Sequence, residues 1–554
     1  MTGLKWKAMR ICLISREYPP ETGYGGIATF TRHLAHGLAL LGHDVVVVSL
    51  AKEKPRSYTE EVVAGDGKAL SEKRQVTIHR VLPYEFPSKL NCVNMAMPYS
   101  RYLLCTSTAL WYKFTELHQE KPFDVVDTPE LLAEGIYPAV TRALPMVIRL
   151  YTPHSKFISE KLHNVSASFD HQFVAMIERV AMLSADVLTS PSDDLAEFVA
   201  GDLGIKQEDI CIVRNPIDTT IFTPQGETML PPAKANGKLR VLFVGRLEER
   251  KGINYLIQAL PSVVKACPNV EFVIIGDDTN TAEGQTSVLA KLKEALKGAG
   301  ATSAVTFIDR VPLDSLPAYY RSADISIVPS VYDNSPYTCL EAMACGRAVI
   351  GTSAGGTKEY MVHNESGLII PAKDPEAIAD ALIKLLTNEA ERERLASGAR
   401  ARAVEKFDRK EIARQTAELY ELAIANFKGN GTGSIKHLYQ HSYLRATEDA
   451  TIFLDAMDKM IYDLLYQQSY RFRISHWFHF LKARPRLFMA KAVSKASRLL
   501  LKLCGTKEES YPSFLRKLEN DIKLKEIAAR PGQPSALNSN DEVSVSAAKG
   551  EPLN

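Results

Sequence analysis

The sequence predicts an α/β fold in which two doubly wound domains face a cleft and a helical appendage follows them. Short apolar runs alternate with helical patterns over residues 9–405, as in parallel sheets covered by helices on both faces. At 554 residues the chain is too long for one compact core, and a polar, proline-rich stretch at 223–238 interrupts the alternation once. Open α/β sheets bind ligands beyond the carboxyl ends of their strands, so we expect a ligand site in the cleft.

The first half contains seven expected strands. Runs such as VVVV at 45–48 are apolar throughout, which is typical of strands buried on both faces of a sheet. The expected strands are Arg10–Ser15, Asp44–Leu50, Val76–Val81, Asp124–Asp127, Val147–Tyr151, Val187–Ser190 and Ile210–Val213.

The alternation restarts after the linker at 223–238 and gives the second half five expected strands. They are LRVLFVG at 239–245, VEFVIIG at 270–276, AVTFI at 304–308, ADISIVPS at 323–330 and RAVIGTS at 347–353. A last helical pattern at 408–426 ends the two-domain region. We therefore expect domains over 1–225 and 226–428, then an appendage over 429–526 and a tail over 527–554.

The composition is typical of a soluble protein, with 45% hydrophobic and 24% charged residues and a net charge of +2. Eight cysteines are scattered without a CxxC pair and no histidines stand at zinc-ligand spacing, so neither a disulfide framework nor a metal site is expected. No apolar signal core precedes the first strand, and no apolar run reaches about 18 residues. We expect a cytoplasmic protein without a cofactor, and attachment to a membrane surface remains open.

Each half carries a glycine-rich turn after its first strand. In the first half Gly23, Gly25 and Gly26 precede an amphipathic helix, where glycine lets the backbone approach a ligand and helix-start amides attract anions. In the second half Arg246 and Lys251 flank a helix entrance and offer two cations to a diphosphate. Alternatively, both are ordinary turns with solvated charges. Neither matches the Walker A pattern.

A pair of carboxylates, Asp333 and Glu341, stands eight positions apart between an expected strand end and a helix. Carboxylates are acceptor-only groups, so the pair suits a site that holds several hydroxyl groups. The alternatives are structural: Asp-Asn-Ser-Pro is good turn chemistry for Asp333, and Glu341 heads an apolar helix whose dipole it would compensate. Gly355 and Gly356 follow the next strand, and His154 follows the strand at 147–151.

The chain resembles the retaining glycosyltransferases of family 4, which have the GT-B architecture of two Rossmann-like domains. The matching motifs occur in family order over residues 9–428, about three quarters of the chain. They are PPETGYGGIATFTRHLAHGLALLGHDVVVVS, YTPH, NPIDTTIF, VGRLEERKG, the D-x7-E segment and EAMACGRAVIGTSAGG. The family usually has glutamate at position 333, so aspartate here shortens the reach by one methylene.

The resemblance implies a nucleoside diphosphate sugar as donor, held mainly by the second domain. Arg246 and Lys251 would grip the diphosphate and neutralise the charge on the departing nucleotide in place of a metal ion. Glu341 would accept hydrogen bonds from the ribose, and Asp333 from the transferred sugar. Amides around Gly355 and Gly356 would complete the site for the sugar or phosphate. Gly25 and Gly26 would reach the donor from the first domain, across the cleft. His154 would form a hydrogen bond to the sugar near the anomeric centre.

The resemblance also implies retention of configuration without a protein nucleophile: the acceptor attacks on the face of the leaving phosphate, which takes the acceptor's proton. The implied acceptor is a glycan, a lipid-linked molecule or a small molecule, as in polysaccharide biosynthesis, and no nucleic acid is expected. Two alternatives remain, a GT-B-type nucleotide-sugar epimerase and a catalytically weak nucleotide-sugar-binding scaffold subunit.

The appendage is basic and aromatic, and no acidic residue occurs from Gln467 through Lys507. Four cations lie on one helical stripe opposite apolar residues, which predicts a helix able to lie on an anionic membrane surface. They are Lys491, Lys495, Arg498 and Lys502. The alternative is a helix that packs on the catalytic domains or a second subunit. Residues 527–554 have the composition of a disordered tail.

Overall fold

The computed structural model describes residues 7–23, 25–62, 74–86, 96–161, 169–231, 237–281 and 286–429, with a few helical residues between 454 and 494. Contacts divide the chain into two units, Met1–Asp458 and Lys459–Asn554. The predicted basic stripe at 491–502 and the tail at 527–554 lie outside the described residues and stay predictions. Among the helices that the structure describes, none has both the length and the apolar character to cross a bilayer.

The first half is built on an eight-stranded sheet with the order β3-β4-β2-β1-β5-β6-β7-β8. Its strands are β1 Arg10–Ile14, β2 Asp44–Leu50, β3 Arg56–Val62, β4 Arg74–Val81, β5 Val125–Pro129, β6 Met146–Arg149, β7 Val187–Ser190 and β8 Ile210–Ile212. The seven expected strands are confirmed to within about two residues at each end. The prediction missed β3, an edge strand antiparallel to β4. Its residues are mostly polar and partly exposed, so it lacks the apolar run of a buried strand.

Helices cover both faces of this sheet. They are α1 Gly26–Leu40, α2 Pro98–Glu120, α3 Ile136–Thr141, α4 His154–Lys161, α5 Phe169–Leu183 and α6 Asp193–Leu203. The ends of α6 show why the sequence folds this way locally. The Ser192 hydroxyl accepts a hydrogen bond from the Leu195 amide at 3.2 Å, and Gly204 ends the helix with φ +68°.

The second half is built on a six-stranded parallel sheet with the order β11-β10-β9-β12-β13-β14. Its strands are β9 Leu239–Val244, β10 Val270–Ile275, β11 Val305–Ile308, β12 Ile325–Val328, β13 Ala348–Thr352 and β14 Leu368–Ile370. The five expected strands are confirmed, and the prediction missed only β14, which is three residues long. The helices are α7 Ile253–Ala266, α8 Val288–Gly298, α9 Leu316–Arg321, α10 Tyr337–Ala344, α11 Thr357–Tyr360, α12 Pro375–Thr387, α13 Glu389–Lys406 and α14 Arg409–Gly429.

The last of these helices, α14, follows the second sheet in the chain but packs on the first half. A Cβ atom at Gly37 in α1 would lie 2.3 Å from the carbonyl oxygen of Arg409, so glycine allows the two helices to touch. The buried Tyr420 hydroxyl donates to Asp127 Oδ2 in β5 at 2.6 Å. The two halves are therefore joined by α14 as well as by the linker. The domain boundaries at 225 and 428 stay predictions.

The order of the strands in each sheet determines where the loops with the predicted site residues lie. In each sheet the first strand of the half lies inside the sheet: β1 between β2 and β5, and β9 between β10 and β12. The chain direction across the sheet reverses at these strands, which leaves a crevice at their carboxyl ends. The loops after β1, β6, β9 and β12 all open at such ends and carry the predicted site residues.

Candidate functional site

Two adjoining cavities lie at the carboxyl ends of the strands. Cavity 1, of about 590 Å³, is lined by both halves, including Tyr99, Tyr151 and His154 from the first half and Tyr332 from the second. Cavity 2, of about 340 Å³, is lined mainly by the second half, including Lys251, Arg310, Leu313 and Glu341. The cavities meet at the residues that line both: Gly25, Gly26, Arg246, Arg250, Asp333 and Ser335.

A group of three cations stands where the cavities meet. Arg246, Arg250 and Lys251 belong to the turn between β9 and α7, and this turn lies close to the loop after β12. Gly252 makes that approach possible, because its φ is +70° and a Cβ atom there would lie 1.7 Å from the carbonyl oxygen of Pro329. Arg250 is a site residue that the sequence analysis missed, although the signal was present in the run of basic residues at 250–251.

Asp333 is the carboxylate that forms ion pairs with two of these cations. The Lys251 ammonium forms an ion pair with it, and Arg250 Nη1 lies 3.6 Å from Asp333 Oδ1. Burial alone would raise the pKa of Asp333, but Lys251, Arg250 and Arg246 outweigh that effect and lower the pKa below its ordinary value. Asp333 is therefore ionised at neutral pH. Asp333 is also one of the residues that line both cavities.

Arg246 has a different partner. Its Nη1 lies 2.6 Å from Glu248 Oε1, and 59% of its side chain is exposed. Arg250 also contacts Glu248, at 3.3 Å. Among the residues that the structure describes, these three cations form ion pairs with two carboxylates, Asp333 and Glu248, which leaves an excess of positive charge within this group.

Gly355 and Gly356 lie behind the Asp333 loop and are not among the residues that line the two cavities. A Cβ atom at Gly355 would lie 2.3 Å from the Asp333 carbonyl oxygen, and one at Gly356 would lie 1.9 Å from that of Asn334. The Gly356 amide donates to the Asp333 carbonyl at 2.9 Å. This corrects the expectation of a ligand cradle at these amides: the glycines instead allow close packing that fixes the Asp333 loop.

Glu341 is buried in α10 and lines cavity 2. It accepts a hydrogen bond from the Tyr320 hydroxyl at 2.8 Å. Burial raises the pKa of Glu341 to about 7, and the bond from Tyr320 offsets this only in part. Because α10 begins at Tyr337, Glu341 is its fifth residue and lies outside the first turn. The alternative interpretation as a charge that compensates the helix dipole at its N-terminal end is therefore wrong.

His154 is the first residue of α4, and its buried ring lines cavity 1. Its Nε2 lies 2.7 Å from Nδ1 of His171, and the two rings stack with centroids 4.9 Å apart. Burial and, after it, the neighbouring His171 lower the pKa of His154 to about 4. His154 is therefore neutral at pH 7, with one ring nitrogen as donor and the other as acceptor.

The wall of cavity 1 around His154 depends on Glu178, which the sequence analysis missed. Its two carboxylate oxygens accept the backbone amides of His154 at 2.6 Å and Leu132 at 2.7 Å. Leu132 has φ +54°, a conformation that favours glycine, and the bond to Glu178 holds it there. No local sequence pattern marks Glu178, because both of its partners are distant in the chain.

Gly25 and Gly26 bring first-half backbone to both cavities. A Cβ atom at Gly25 would meet nothing within 4 Å, and one at Gly26 would meet only Tyr337 of the second half, at 3.8 Å. Gly23 does not line either cavity; its φ is +73° and a Cβ atom there would lie 2.6 Å from Glu17. Gly23 is thus required by the turn itself.

Direct contacts between the halves close one side of the cleft at residues 332–335. The Asn334 amide donates to Thr152 Oγ1 at 2.6 Å and to the carbonyl of Tyr151. The Tyr332 hydroxyl donates to Asp194 Oδ2 at 2.7 Å, and Asn215 donates to the Ser335 carbonyl at 3.1 Å. The loop that carries Asp333 therefore touches the first half on both sides of that residue.

Two family models cover most of the region that forms these cavities. The model for glycosyl transferases group 1 matches residues 227–402, and the model for glycosyltransferase family 4 matches residues 24–221. The chain belongs to the family 4, group 1 glycosyltransferases. The resemblance inferred from the sequence motifs is thereby confirmed.

Relatives of this glycosyltransferase align over nearly their whole length. An uncharacterised glycosyltransferase of Methanocaldococcus jannaschii is 26% identical over 429 residues, which cover 75% of this chain and 99% of the relative. A glycogen synthase of Mycobacterium tuberculosis is 27% identical, with coverages of 74% and 94%. A D-inositol 3-phosphate glycosyltransferase of Corynebacterium urealyticum is 28% identical, with coverages of 74% and 95%. The relatives thus share the two-domain region and carry different enzyme names.

Solved structures show the same fold. Sucrose-phosphate synthase from Thermosynechococcus elongatus matches with a TM-score of 0.58 and 21% identity, over 75% of this chain and 99% of that chain. Anabaena HepE, solved in complex with UDP, matches with a TM-score of 0.52 and 17% identity, over 74% and 100%. These likenesses confirm the expected GT-B architecture of the glycosyltransferase.

The geometry indicates which chemistry this site favours. The junction of the cavities combines excess positive charge with the ionised carboxylate of Asp333, which suits a ligand that carries both phosphate and hydroxyl groups. Among the described residues, no group of three or more His, Cys, Asp or Glu side chains is arranged to hold a metal ion.

Proposed function

We propose that this glycosyltransferase moves a hexosyl group from a nucleoside diphosphate sugar to an acceptor hydroxyl, with retention and without an essential metal ion. The observation that carries the proposal is the meeting of Arg246, Arg250 and Lys251 with Asp333 at the junction of two cavities. The diphosphate would lie at this junction, with the nucleoside in cavity 2 and the sugar directed toward cavity 1.

Cavity 2 has the features of a nucleoside site. Glu341 offers a carboxylate to ribose hydroxyls, and Val311, Leu313 and Leu316 offer an apolar wall to a base. Among proteins with this fold, HepE was solved with UDP and with UDP-glucose, and starch synthase IV of Arabidopsis thaliana with ADP and acarbose. These complexes support a nucleoside diphosphate as the ligand class, and a comparison of donors with different bases would identify the base.

Binding of the donor would change the ion-pair partners of Lys251 and Arg250 from Asp333 to the diphosphate. Lys251 forms its ion pair with Asp333, and a diphosphate carries more negative charge than one carboxylate. The diphosphate would therefore draw Lys251 and Arg250 toward itself and free the carboxylate oxygens of Asp333. Those oxygens would then accept hydrogen bonds from the hydroxyls of the transferred sugar. Asp333 thus couples occupation of the phosphate site to orientation of the sugar.

The reaction follows from these positions. The bond between the anomeric carbon and the donor phosphate oxygen breaks, and the acceptor oxygen forms its bond to the same carbon from the same face. The acceptor's proton passes to the departing phosphate, whose charge Arg246 and Lys251 stabilise. His154 contributes as a neutral hydrogen-bonding group near the sugar, exchanging His171 for a sugar hydroxyl. The closed contacts at 332–335 limit access of water, which would otherwise hydrolyse the donor.

The test is a screen of UDP-, ADP- and GDP-sugars by ligand-induced thermal shift, followed by mass analysis of products with and without acceptors. Transfer that requires an acceptor and persists in EDTA is the expected result. Isomerisation of the donor without an acceptor would instead identify an epimerase, and binding without turnover a scaffold subunit. A β-linked product from an α-linked donor would overturn retention.

A further inference from the structure

Lys156 is a buried lysine in the first turn of α4, two residues after His154. Only 7% of its side chain is exposed, and lysine is almost never buried this far unless its charge has partners. Helix residues two positions apart do not face the same side, and Lys156 is not among the residues that line cavity 1. The burial of this charge therefore has a cause outside that cavity.

The Lys156 ammonium lies between two aromatic rings, one from each half of the molecule. Its Nζ is 4.3 Å from the centroid of the Phe198 ring in α6 and 4.5 Å from that of the Tyr332 ring on the loop after β12. Both distances are well inside the limit of about 6 Å for a cation–π contact, and burial strengthens such a contact because water is removed from the cation. A cation of the first half thus attracts a ring of the second half.

Asp194, in the first turn of α6, also contacts both Lys156 and Tyr332. Its Oδ2 accepts the Tyr332 hydroxyl at 2.7 Å and lies 3.9 Å from Lys156 Nζ. An ion pair at 3.9 Å is near the outer limit for such a contact, so the rings and the carboxylate share the stabilisation of the cation. We name Lys156, Asp194, Phe198 and Tyr332 the Lys156 cluster.

The backbone of Tyr332 contacts the cations at the junction of the cavities. Arg250 Nη1 donates to the Tyr332 carbonyl oxygen at 3.1 Å and lies 3.6 Å from Asp333 Oδ1. The Val331 amide donates to the Arg250 carbonyl at 2.8 Å. Tyr332 is therefore held by its ring on the first half and by its backbone on the second. A shift of its ring away from α4 would carry the Asp333 loop with it.

We propose that Lys156 is a positioning residue, which sets the position of Asp333 relative to His154 by holding the Tyr332 ring against α4. One helix carries both His154 and Lys156, and one loop carries both Tyr332 and Asp333. The contact between Lys156 and Tyr332 therefore also fixes the two residues that line cavity 1 beside them. The residue acts through Tyr332 and needs no contact with substrate.

The effect of Lys156 should be local, because other contacts also join the halves here. Asn334 donates to Thr152 Oγ1, and Asn215 donates to the Ser335 carbonyl. These bonds remain without Lys156, so its loss should loosen the loop at residue 332 and leave the halves together. The positioning can be measured without donor or acceptor. Only its consequence for transfer rests on the proposed function.

The first experiment is hydrogen–deuterium exchange of the full chain without ligand, in the wild type and in Lys156→Met. Methionine is also long, unbranched and apolar along its chain, and it removes the charge. The matched control is Lys293→Met, because Lys293 is an exposed lysine of α8 whose Nζ lies 5.9 Å from the ring centroid of Phe307 in the same half. Exchange over 329–337 should become about tenfold faster in Lys156→Met, as for loss of a desolvated cation–π contact, and should not change in the control.

This change would report the contact across the cleft, since 329–337 belong to the second half and Lys156 to the first. Exchange over Val270–Ile275, strand β10, should keep the wild-type rate, because loosening one loop does not unfold the sheet. Unchanged exchange over 329–337 in Lys156→Met overturns the proposal and would make Lys156 a partner of first-half residues alone. An equal increase over 329–337 and β10 would show general destabilisation, which also overturns it.

Further variants test the ring and the charge separately. Tyr332→Phe keeps the cation–π contact and loses the bond to Asp194, whereas Tyr332→Leu loses both and should exchange faster over 329–337. With leucine at 332, Lys156→Met should add less than about twofold, because its partner is already absent. Lys156→Arg keeps a cation that can stack on the rings, so it should exchange more slowly than Lys156→Met. Additive effects at 156 and 332, or equal rates for arginine and methionine at 156, would contradict the proposal.

The second measurement is the ratio of donor hydrolysis to transfer at saturating donor. A loosened Asp333 loop should admit water, so Lys156→Met should raise this ratio by about tenfold. Its affinity for the nucleoside diphosphate should change by less than about threefold, since the three cations at the junction remain. A purely structural role would lower hydrolysis and transfer together, and an unchanged ratio would overturn the role of Lys156 in transfer. A wild type that neither transfers nor hydrolyses would instead contradict the proposed function, while exchange over 329–337 still decides the positioning.

Discussion

Both sides of the cleft carry buried carboxylates, but Glu130 and Glu178 of the first half are held by backbone amides, whereas Asp333 of the second half is held by cationic side chains. Glu130, Glu134 and Glu178 each accept at least one backbone N–H, at 2.6–2.7 Å. Burial raises their pKa values to about 7, 8 and 8. Asp333 is held by Lys251 and Arg250, which lower its pKa.

This difference separates carboxyl groups with fixed partners from a carboxylate whose partners can be exchanged. A ligand cannot remove a backbone amide from Glu178 without unfolding the wall of cavity 1, but it can draw Lys251 away from Asp333 by rotation of a side chain. The amide-bonded carboxyl groups of the first half should therefore keep their partners on binding, whereas Lys251 and Asp333 of the second half should change theirs. Substitutions in the two halves should differ accordingly, in magnitude and in which step they affect.

The largest effect is expected for Lys251→Ala. Removing this cation leaves developing charge on the leaving phosphate without one of its stabilising groups and leaves Asp333 with a weaker partner. Loss of such a group typically costs a factor of about 10²–10³ in rate. The measurement is the transfer rate at saturating acceptor. Lys265→Ala, an exposed position in the last turn of α7, is the control and should keep the wild-type rate. A decrease of less than about tenfold in the transfer rate would contradict the proposed stabilisation of the leaving phosphate by Lys251.

The next effect is expected for Asp333→Ala, which should separate binding from chemistry. Transfer should fall about 100-fold, because the sugar loses its orienting carboxylate. Binding of the nucleoside diphosphate alone, measured by calorimetry, should stay the same or tighten, because Lys251 no longer has a carboxylate partner. Asp333→Glu restores the usual family residue and should retain more transfer than alanine. Intact transfer in Asp333→Ala would show that the sugar contact is wrong.

The comparison also shows which parts of the molecule the sequence could predict. Strands of the two sheet interiors were found because burial on both faces demands an apolar run, as at Val45–Val48. The exposed edge strand β3 lacks that pattern. In the second half Arg246, Lys251 and Asp333 line a cavity because loops after neighbouring parallel strands converge, and Glu341 lines the same cavity from α10.

The errors have local physical reasons. The start of α10 was placed too late because Pro336, which sets the helix start at Tyr337, was taken as part of a turn. Gly355 and Gly356 were expected at the ligand because glycine permits close approach, and the approach they permit is to the Asp333 loop. Glu178 could not be found, because its function depends on two backbone amides that only the tertiary fold brings near.

Glu341 provides a test with a moderate effect that depends on pH. Its pKa of about 7 in the free protein reflects burial, whereas ribose hydroxyls would bind the ionised carboxylate. The affinity for an intact nucleotide sugar should therefore fall as pH drops, approaching tenfold per unit well below pH 7. The sugar ester prevents the diphosphate itself from titrating in this range. Glu341→Gln should bind more weakly, with no dependence on pH between 6 and 8. An unchanged dependence in that variant would assign it to another group.

The smallest effect is expected at the wall of cavity 1, where His154 is held neutral. Burial is the larger cause of its low pKa and His171 the smaller, so removing His171 should raise the pKa of His154 only part of the way toward its ordinary value of about 6.5. At saturating donor, which removes the contribution of Glu341, the wild-type kcat should show no histidine step between pH 6 and 8. His171→Ala should lose only a minor part of its kcat, about 15% or less, at pH 6 relative to pH 8, because burial remains and keeps most of His154 neutral with its acceptor nitrogen. His171→Phe removes the same ring nitrogens and keeps the buried ring, so its step should lie at lower pH than that of the alanine variant. A wild-type step in this range that disappears in His154→Gln would instead make His154 an acid–base group, and the first half would then provide a titrating group as well as a wall.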